Sequence, residues 1–281
     1  MKILITGGAG FIGTNLCRRL NKLHDLYSID NYSIGNKKNH IDGVKYVEGD
    51  VNNIADYLEN DFDICFHLAG LSRIYPSFES PRETFDSNTS AVISILEWCK
   101  INNTKIIYAG SSSRHYNHYQ SPYATFKFLG EEICKMYKKV YDLNIQITRF
   151  YNVYGPNEIT EGKWAAVIGI WRNQIINGLP ITIVGDGEQR RDFTHVDDIT
   201  QALESLILSK ENDEDAWELG TGVNYSINQV ASMFVTKFNV ELKYIDNQPG
   251  NYRETLRKNV KSLDKLNFSP KDKLYNYIMS L

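Results

Sequence analysis

A chain of 281 residues is long enough to bury a sizeable core in one or two domains. Its 31 basic and 34 acidic side chains leave a net charge of −3, which argues against a general nucleic-acid binder. No apolar run approaches the roughly 18 residues of a membrane span. Cys17, Cys65, Cys99 and Cys134 form no Cys-x-x-Cys pair, and the six histidines show no familiar ligand spacing, so neither a disulfide framework nor a metal site is expected. The N-terminus enters a strand pattern at once, without a leader-like apolar segment, and reads as unexported and cytoplasmic.

Residues 2–6, KILIT, read as a short buried parallel strand. Gly7, Gly8, Ala9, Gly10, Phe11, Ile12 and Gly13 follow, then the helical pattern TNLCRRLNKL. Strand, glycine turn and helix let the backbone approach a pyrophosphate resting on the helix N-terminus. A second strand, LYSID, ends in Asp30, followed by Asn31. An acidic side chain about 20 residues after the glycines accepts hydrogen bonds from a ribose and repels a 2′-phosphate, which favours NAD over NADP. Lys37 and Lys38 nearby act against that preference. KYVEGDV is a third strand ending at Asp50 and Val51, with Asp50 also placed to cap a helix. Residues 62–70, FDICFHLAG, form a fourth, with Leu68, Ala69 and Gly70 at the carboxyl end where such sheets bind ligands. A loop over 71–84 leads to a helix predicted over 83–102 that includes Asn88.

TKIIYAG is a fifth strand and delivers Ser111, Ser112 and Ser113 at its end. A helix predicted over 122–141 places Tyr123 and Lys127 one turn apart on one face. A phenol with a pKa of about 10 is a poor base at neutral pH, and a neighbouring ammonium favours its phenolate. The pair therefore suits a general base for a sugar hydroxyl, with a serine hydroxyl steadying the oxygen. Residues 145–155, IQITRFYNVYG, read as a sixth strand, and Pro156 begins a polar passage. AAVIGIWRNQIINGLP is a helix stopped by Gly178 and Pro180. ITIVGDGEQRRDF (181–193) reads as strand, glycine turn and strand, and HVDDITQALESLIL as a helix returning to the first half. AWELGTG is assigned, with the helix capped near Ser226, to the second half.

TGGAGFIG, Asp30, Asp50-Val51, His67-Leu68-Ala69-Gly70, the serine cluster and Tyr123-x-x-x-Lys127, in this order, resemble the extended short-chain dehydrogenase/reductase family, and within it the nucleotide-sugar epimerases and dehydratases. The resemblance implies that Asp50 and Val51 meet an adenine, that Ala69 and Gly70 pass a cofactor ribose, and that Ser77 lies near the sugar. It implies that Asn88 packs beneath the site and that the helices carrying Asn88 and Tyr123 pair in a homodimer. Counting back from Tyr116, Ser112 corresponds to the catalytic serine. Ser113 and Arg114 fall where dehydratases carry Asp and Glu, which tells against a dehydratase. The stretch from Tyr116 to Tyr123 is shorter than in relatives, and His118 within it, with Arg114 and His115 just before it, either touch the substrate or face solvent. Tyr151 is implied to flank the nicotinamide, Asn152 and Arg191 to bind a diphosphate, and Ala166 or Val167 to pack on a uracil. Arg190 is expected in solvent. Gln248 stands where relatives often carry an arginine, with Arg253 supplying the phosphate charge instead. Thr255 is small at a position facing the sugar 2-substituent, which admits an N-acetyl group.

The expectation is an α/β fold: a doubly wound parallel Rossmann sheet over residues 1–150 with a segment returning near 193–210, and a smaller nucleotide-sugar lobe over 151–281. The implied activity is NAD-dependent 4-epimerisation of a UDP-hexose or UDP-N-acetylhexosamine through a 4-keto sugar. A reductase or 4,6-dehydratase on the same scaffold, and a non-catalytic NAD- or sugar-nucleotide-binding protein, are the alternatives.

Overall fold

The computed structural model describes residues 1–211, 215–258, 263–266 and 268–281. The first half runs β1 (Lys2–Thr6), α1 (Phe11–Leu20), β2 (Asp25–Asp30), β3 (Lys45–Glu48), β4 (Ile64–His67), α2 (Ile74–Glu79), α3 (Pro81–Phe85), α4 (Ala91–Lys100), β5 (Lys105–Ser111), α5 (Pro122–Tyr141) and β6 (Ile145–Phe150). The second half runs β7 (Val153–Tyr154), α6 (Val167–Ile176), β8 (Ile181–Val184), β9 (Arg190–Asp192), β10 (Thr194–His195), α7 (Val196–Leu208), β11 (Trp217–Leu219), β12 (Asn224–Ser226), α8 (Ile227–Phe238), β13 (Leu242–Ile245) and α9 (Leu274–Ser280).

Seven strands form one parallel sheet in the order β11-β6-β5-β4-β1-β2-β3. The doubly wound expectation holds. Side chains alternate across it: Leu4 joins the cluster that contains Val92, Ile95 and Leu96 of α4, whereas Ile3 and Ile5 join Leu16 of α1 and Leu203 of α7. Both faces are thus covered, which is why β4 is buried throughout. A third cluster, with Trp171, Ile183, Phe234 and Ile278, forms the core of the second half. Among the described residues no helix is long and apolar enough to cross a membrane.

The structure departs from the sequence reading in two elements. AWELGTG joins the large sheet, where Trp217, Glu218 and Leu219 pair with Thr148, Arg149 and Phe150; the returning stretch therefore extends to Leu219. The helix predicted over 83–102 is α3 and α4 joined by a π turn, Asp86–Ser90. Within that turn Asn88 accepts from the Leu71 N–H at 2.9 Å and donates to the Leu71 carbonyl at 2.8 Å, fixing the loop after β4. The strands flanking Gly185–Gly187 do not pair with each other: β8 takes β13 and β9 takes β12. The late stretch over 249–262 is described only as far as Lys258.

A buried charge cluster locks α5 to β6 and β11. Arg149, on β6, donates to Glu131 of α5 through Nη2 at 2.8 Å and Nε at 3.1 Å, and through Nη1 to Glu218 and Asp215 at 2.7 Å each. Tyr151 and His115 also meet Glu218, at 2.6 and 2.7 Å. Removing one partner from such a cluster strands buried charge, a loss of about 3–5 kcal/mol. Arg149→Met is therefore expected to destabilise the fold by that order, read as a lower urea midpoint with an unchanged slope.

Candidate active site

The carboxyl ends of the central strands open on one cavity of about 1400 Å³. A single small-ligand pocket is roughly 300–1000 Å³, so this one has room for two ligands side by side. Gly7, Gly10, Phe11, Ile12 and Gly13 line one end. Gly7 has φ +72°, and a Cβ there would sit 2.9 Å from the Ala69 Cα; one at Gly13 would sit 2.2 Å from the Gly7 carbonyl oxygen. Gly10 caps α1 without any side-chain hydrogen bond, and no acidic residue occupies the first turn, so the positive end of the helix is left for an anion.

Asp30 faces the same end, held by the N–H groups of Ala9 and Tyr32 at 2.9 Å each, and burial raises its pKa. Asn31 donates to Asp50 at 3.3 Å, and Asp50 caps the turn that begins at Val51 by accepting from Asn52 N–H at 2.8 Å. Val51, Leu68, Ala69 and Gly70 complete this wall. Lys37 pairs with Glu48 at 2.6 Å, and neither it nor Lys38 lines the cavity beside Asp30. The turn without side chains, the uncapped helix end and the acidic strand end fit NAD.

At the centre Tyr123 donates to Ser111 Oγ at 3.2 Å. The serine in contact with the phenol is thus Ser111, the last residue of β5, one position before the expected Ser112. Ser113 is tied to Ser111 Oγ through its own hydroxyl at 2.9 Å and its N–H at 3.2 Å. Ser112 and Ser113 line the cavity as well. The first turn of α5 is set by Ser121, whose Oγ accepts from Ala124 N–H at 3.1 Å. Lys127 is buried, and its amino group donates to the Ala109 carbonyl at 2.6 Å, 4.8 Å from the Tyr108 ring centre. Burial pushes Lys127 down to about 8. Burial also holds the Tyr123 phenol above its ordinary value; the Ser111 bond and then the Arg73 guanidinium draw it back, and Glu131 opposes them. Arg73, which the sequence reading missed, also lines this cavity and donates to the Trp164 carbonyl at 2.9 Å.

At the far end Asn152 donates to the Asp192 carbonyl and to Thr255 Oγ1, each at 3.0 Å. Val167, Arg191, Thr255 and Gln248 line this end. Arg191 donates to Asn251 and, at 2.8 Å, to the Arg190 carbonyl; burial pushes it down to about 10. Among the described residues it pairs with no carboxylate, which suits an anion such as a diphosphate. Glu158 also lines the cavity; burial pushes it up to about 7 against Arg172 at 3.1 Å, and no sequence motif marked it.

Three expected site residues stand away from the cavity. Ser77 is fully buried, donates to the Ile74 carbonyl at 2.6 Å and accepts from Tyr123 N–H at 3.1 Å, so it ties α2 to α5. Tyr151 points its phenol at Glu218, and alternation turns Phe150 to the cavity instead. Arg253 is exposed and bidentate to Asp186, both bonds 2.9 Å, because the Gly185–Gly187 turn presents that carboxylate beside it. Arg190 is half-buried and bonded to Asn224 rather than solvated. The shortened loop packs down: Arg114 lies 4.2 Å over the Phe128 ring and pairs with Glu132 at 2.9 Å, and His118 stacks on Phe128 at 4.1 Å.

The family model described as "NAD dependent epimerase/dehydratase family" matches residues 3–220. A Methanocaldococcus jannaschii protein, provisionally named a UDP-glucose 4-epimerase, is 33% identical over 81% of this chain and 79% of its own length. The UDP-N-acetylglucosamine 4-epimerase of Methanobrevibacter ruminantium, solved with UDP-N-acetylmuramic acid, superposes with a TM-score of 0.88 at 28% identity, covering 99% of this chain and 96% of that one. The UDP-glucuronic acid 4-epimerase of Bacillus cereus, solved with UDP-glucuronic acid and NAD, gives 0.89 at 27% identity, covering 99% and 97%. With a nucleotide cradle, a Tyr–Ser pair and a family match across most of its length, this chain belongs to the NAD-dependent epimerase/dehydratase family.

Proposed function

We propose that this enzyme inverts C4 of a UDP-sugar, with a hexose or N-acetylhexosamine as the sugar. The observation that carries the reading is the Tyr123–Ser111 hydroxyl pair, set between the glycine cradle and Arg191 in one cavity. When bound, NAD supplies a reversible hydride acceptor. Inversion at C4 requires a proton to leave the 4-oxygen and return to it, and Tyr123 does both. Ser111 orients the phenol, and Ser112 on the same wall holds the 4-oxygen. Lys127 steadies the cofactor ribose. Arg191 and Asn152 hold the diphosphate, Val167 packs on the base, and Thr255 leaves space at the sugar 2-position. A 4,6-elimination calls for carboxyl groups beside the serine, where this chain has Ser113, tied to Ser111, and Arg114, tied to Glu132.

The enzyme is read as a homodimer formed through α4 and α5, whose Ile93, Leu129, Met136 and Val140 are exposed. We place it in the cytoplasm; four buried free thiols suit a reducing compartment.

Incubation with UDP-N-acetylglucosamine, UDP-glucose or UDP-glucuronate without added reductant, followed by proton NMR, is expected to yield a 4-epimer; no conversion of any of them by NAD-bound protein refutes the reading. Tyr123→Phe is expected to lower kcat roughly 10²- to 10⁴-fold while NAD stays bound. Thr255→Tyr is expected to remove activity on the N-acetyl sugar and spare the hexose; parallel loss on both counts against the Thr255 assignment. Light scattering is expected to give twice the 32.3 kDa chain mass.

A further inference from the structure

Residues 248–256 cross the cavity between the two halves of the molecule, and the reading above uses only Thr255 of them. One end is sewn to β9. Arg190 N–H donates to the Arg253 carbonyl and Thr255 N–H to the Arg190 carbonyl, each at 2.9 Å, and Asp192 N–H donates to the Thr255 carbonyl at 3.1 Å. The other end rests on the first half. Gly250 has φ +72°, and a Cβ there would sit 2.8 Å from Ile74 Cγ2 and 3.3 Å from the Gln120 carbonyl oxygen, so bare backbone lies on α2 and on the short loop. The Tyr252 ring stacks on Tyr116, with centroids 4.8 Å apart and 29° between the planes, and Leu256 N–H donates to Tyr116 Oη at 3.2 Å. Tyr252 is buried, and among the described residues its hydroxyl makes no hydrogen bond, so the ring alone makes the contact. Both anchors belong to the parts that hold Tyr123. Tyr116 N–H donates to the Ser113 carbonyl at 3.1 Å, and Ser113 is bonded to Ser111, the partner of the phenol. The Ile74 carbonyl takes the Ser77 hydroxyl, which accepts from Tyr123 N–H.

We propose that residues 248–256 are a roof over the sugar, latched by the Tyr252–Tyr116 stack, and that this latch retains the oxidised sugar between the two hydride transfers. The inference rests on the 4-epimerisation read above. In its first half the C4–H bond breaks and its electron pair passes to NAD, while Tyr123 takes the 4-hydroxyl proton and a C4 ketone forms. The second half returns both to the same carbon and oxygen. A ketone that leaves in between strands the electron pair on the reduced cofactor and halts the enzyme. A cover that stays shut through both halves prevents that loss. The loop over 114–121 packs down on α5 and Glu218, which leaves the covering task to the latched strap.

Two variants of the NAD-loaded enzyme isolate the stack. Tyr252→Ala removes the ring and keeps the backbone bonds to β9; Tyr252→Phe keeps the ring and removes only the unbonded hydroxyl. In Tyr252→Ala, amide hydrogen exchange at Leu256 is expected to speed up by about tenfold or more, and in Tyr252→Phe to stay at the wild-type rate. With UDP-glucose or UDP-N-acetylglucosamine and no added reductant, the near-ultraviolet absorbance of reduced nicotinamide is expected to climb in Tyr252→Ala toward stoichiometry with the enzyme, as the yield of 4-epimer falls. It stays low in wild-type protein and in Tyr252→Phe. Unchanged exchange in a folded Tyr252→Ala overturns the proposal. So does faster exchange without a gain in reduced cofactor, or a Tyr252→Phe that behaves as Tyr252→Ala, which assigns the effect to the hydroxyl. Exchange needs no turnover. Wild-type protein that protects Leu256 and converts no UDP-sugar refutes the epimerase reading, and the retention role with it, while the latch stands; a wild-type enzyme that epimerises beside an unaffected Tyr252→Ala refutes the latch alone.

Discussion

β1 pairs with β2 on one side and with β4 on the other, and the rest of the molecule follows from that reversal of strand order. Right-handed crossovers then carry the chain to opposite faces of the sheet, and the carboxyl ends of β1 and β4 part to leave a crevice. Several of the site's groups arrive there at the end of a strand or just beyond it: the glycine turn after β1, Asp30 ending β2, Ala69 and Gly70 after β4, Ser111 ending β5, Asn152 after β6. The sheet brings together residues as far apart in the chain as Gly7 and Thr255.

The catalytic wall is held from beneath by charge. Glu131 lies two turns along α5 from Tyr123; it takes the Arg149 guanidinium of β6 and accepts from the Ser111 N–H at 3.4 Å. One buried carboxylate thereby relates the helix that carries the phenol to the strand that carries the serine. Burying such a cluster is costly, and a geometrical return of this kind is a reason to retain it. The short loop over 114–121 joins the same support, with His115 on Glu218 and Arg114 on α5, rather than reaching over the sugar.

Electrostatics divide the cavity. Asp30 marks the end fitted to a ribose, while Arg73, Lys127 and Arg191 concentrate positive charge from the centre outward, in a protein whose net charge is −3. A low-dielectric cleft focuses such local charge, which favours an anion there despite the overall sign. Glu158, pushed up to about 7 by burial, is the acidic group on the same cavity wall and pairs with Arg172.

The sequence by itself determined the parallel sheet, the glycine cradle with Asp30, and the helix that carries Tyr123 and Lys127. These are legible because strand alternation, glycine turns and one-turn helical spacing are local in the chain. Only the tertiary structure decided which of three consecutive serines meets the phenol, because Ser111, Ser112 and Ser113 differ in nothing but the direction in which the end of β5 points them. It also moved Tyr151, Ser77 and Arg253 out of the cavity, through Glu218, the α5 N-terminus and Asp186, partners 67, 46 and 67 residues away. Trp217–Leu219 joined the large sheet for the same reason: a three-residue strand carries too little pattern to name its neighbour, and pairing with β6 is settled by what lies beside it in space. Arg73 and Glu158 belong to no motif, and their place in the same cavity wall as Tyr123 exists only once α2, α5 and the segment before α6 have packed together.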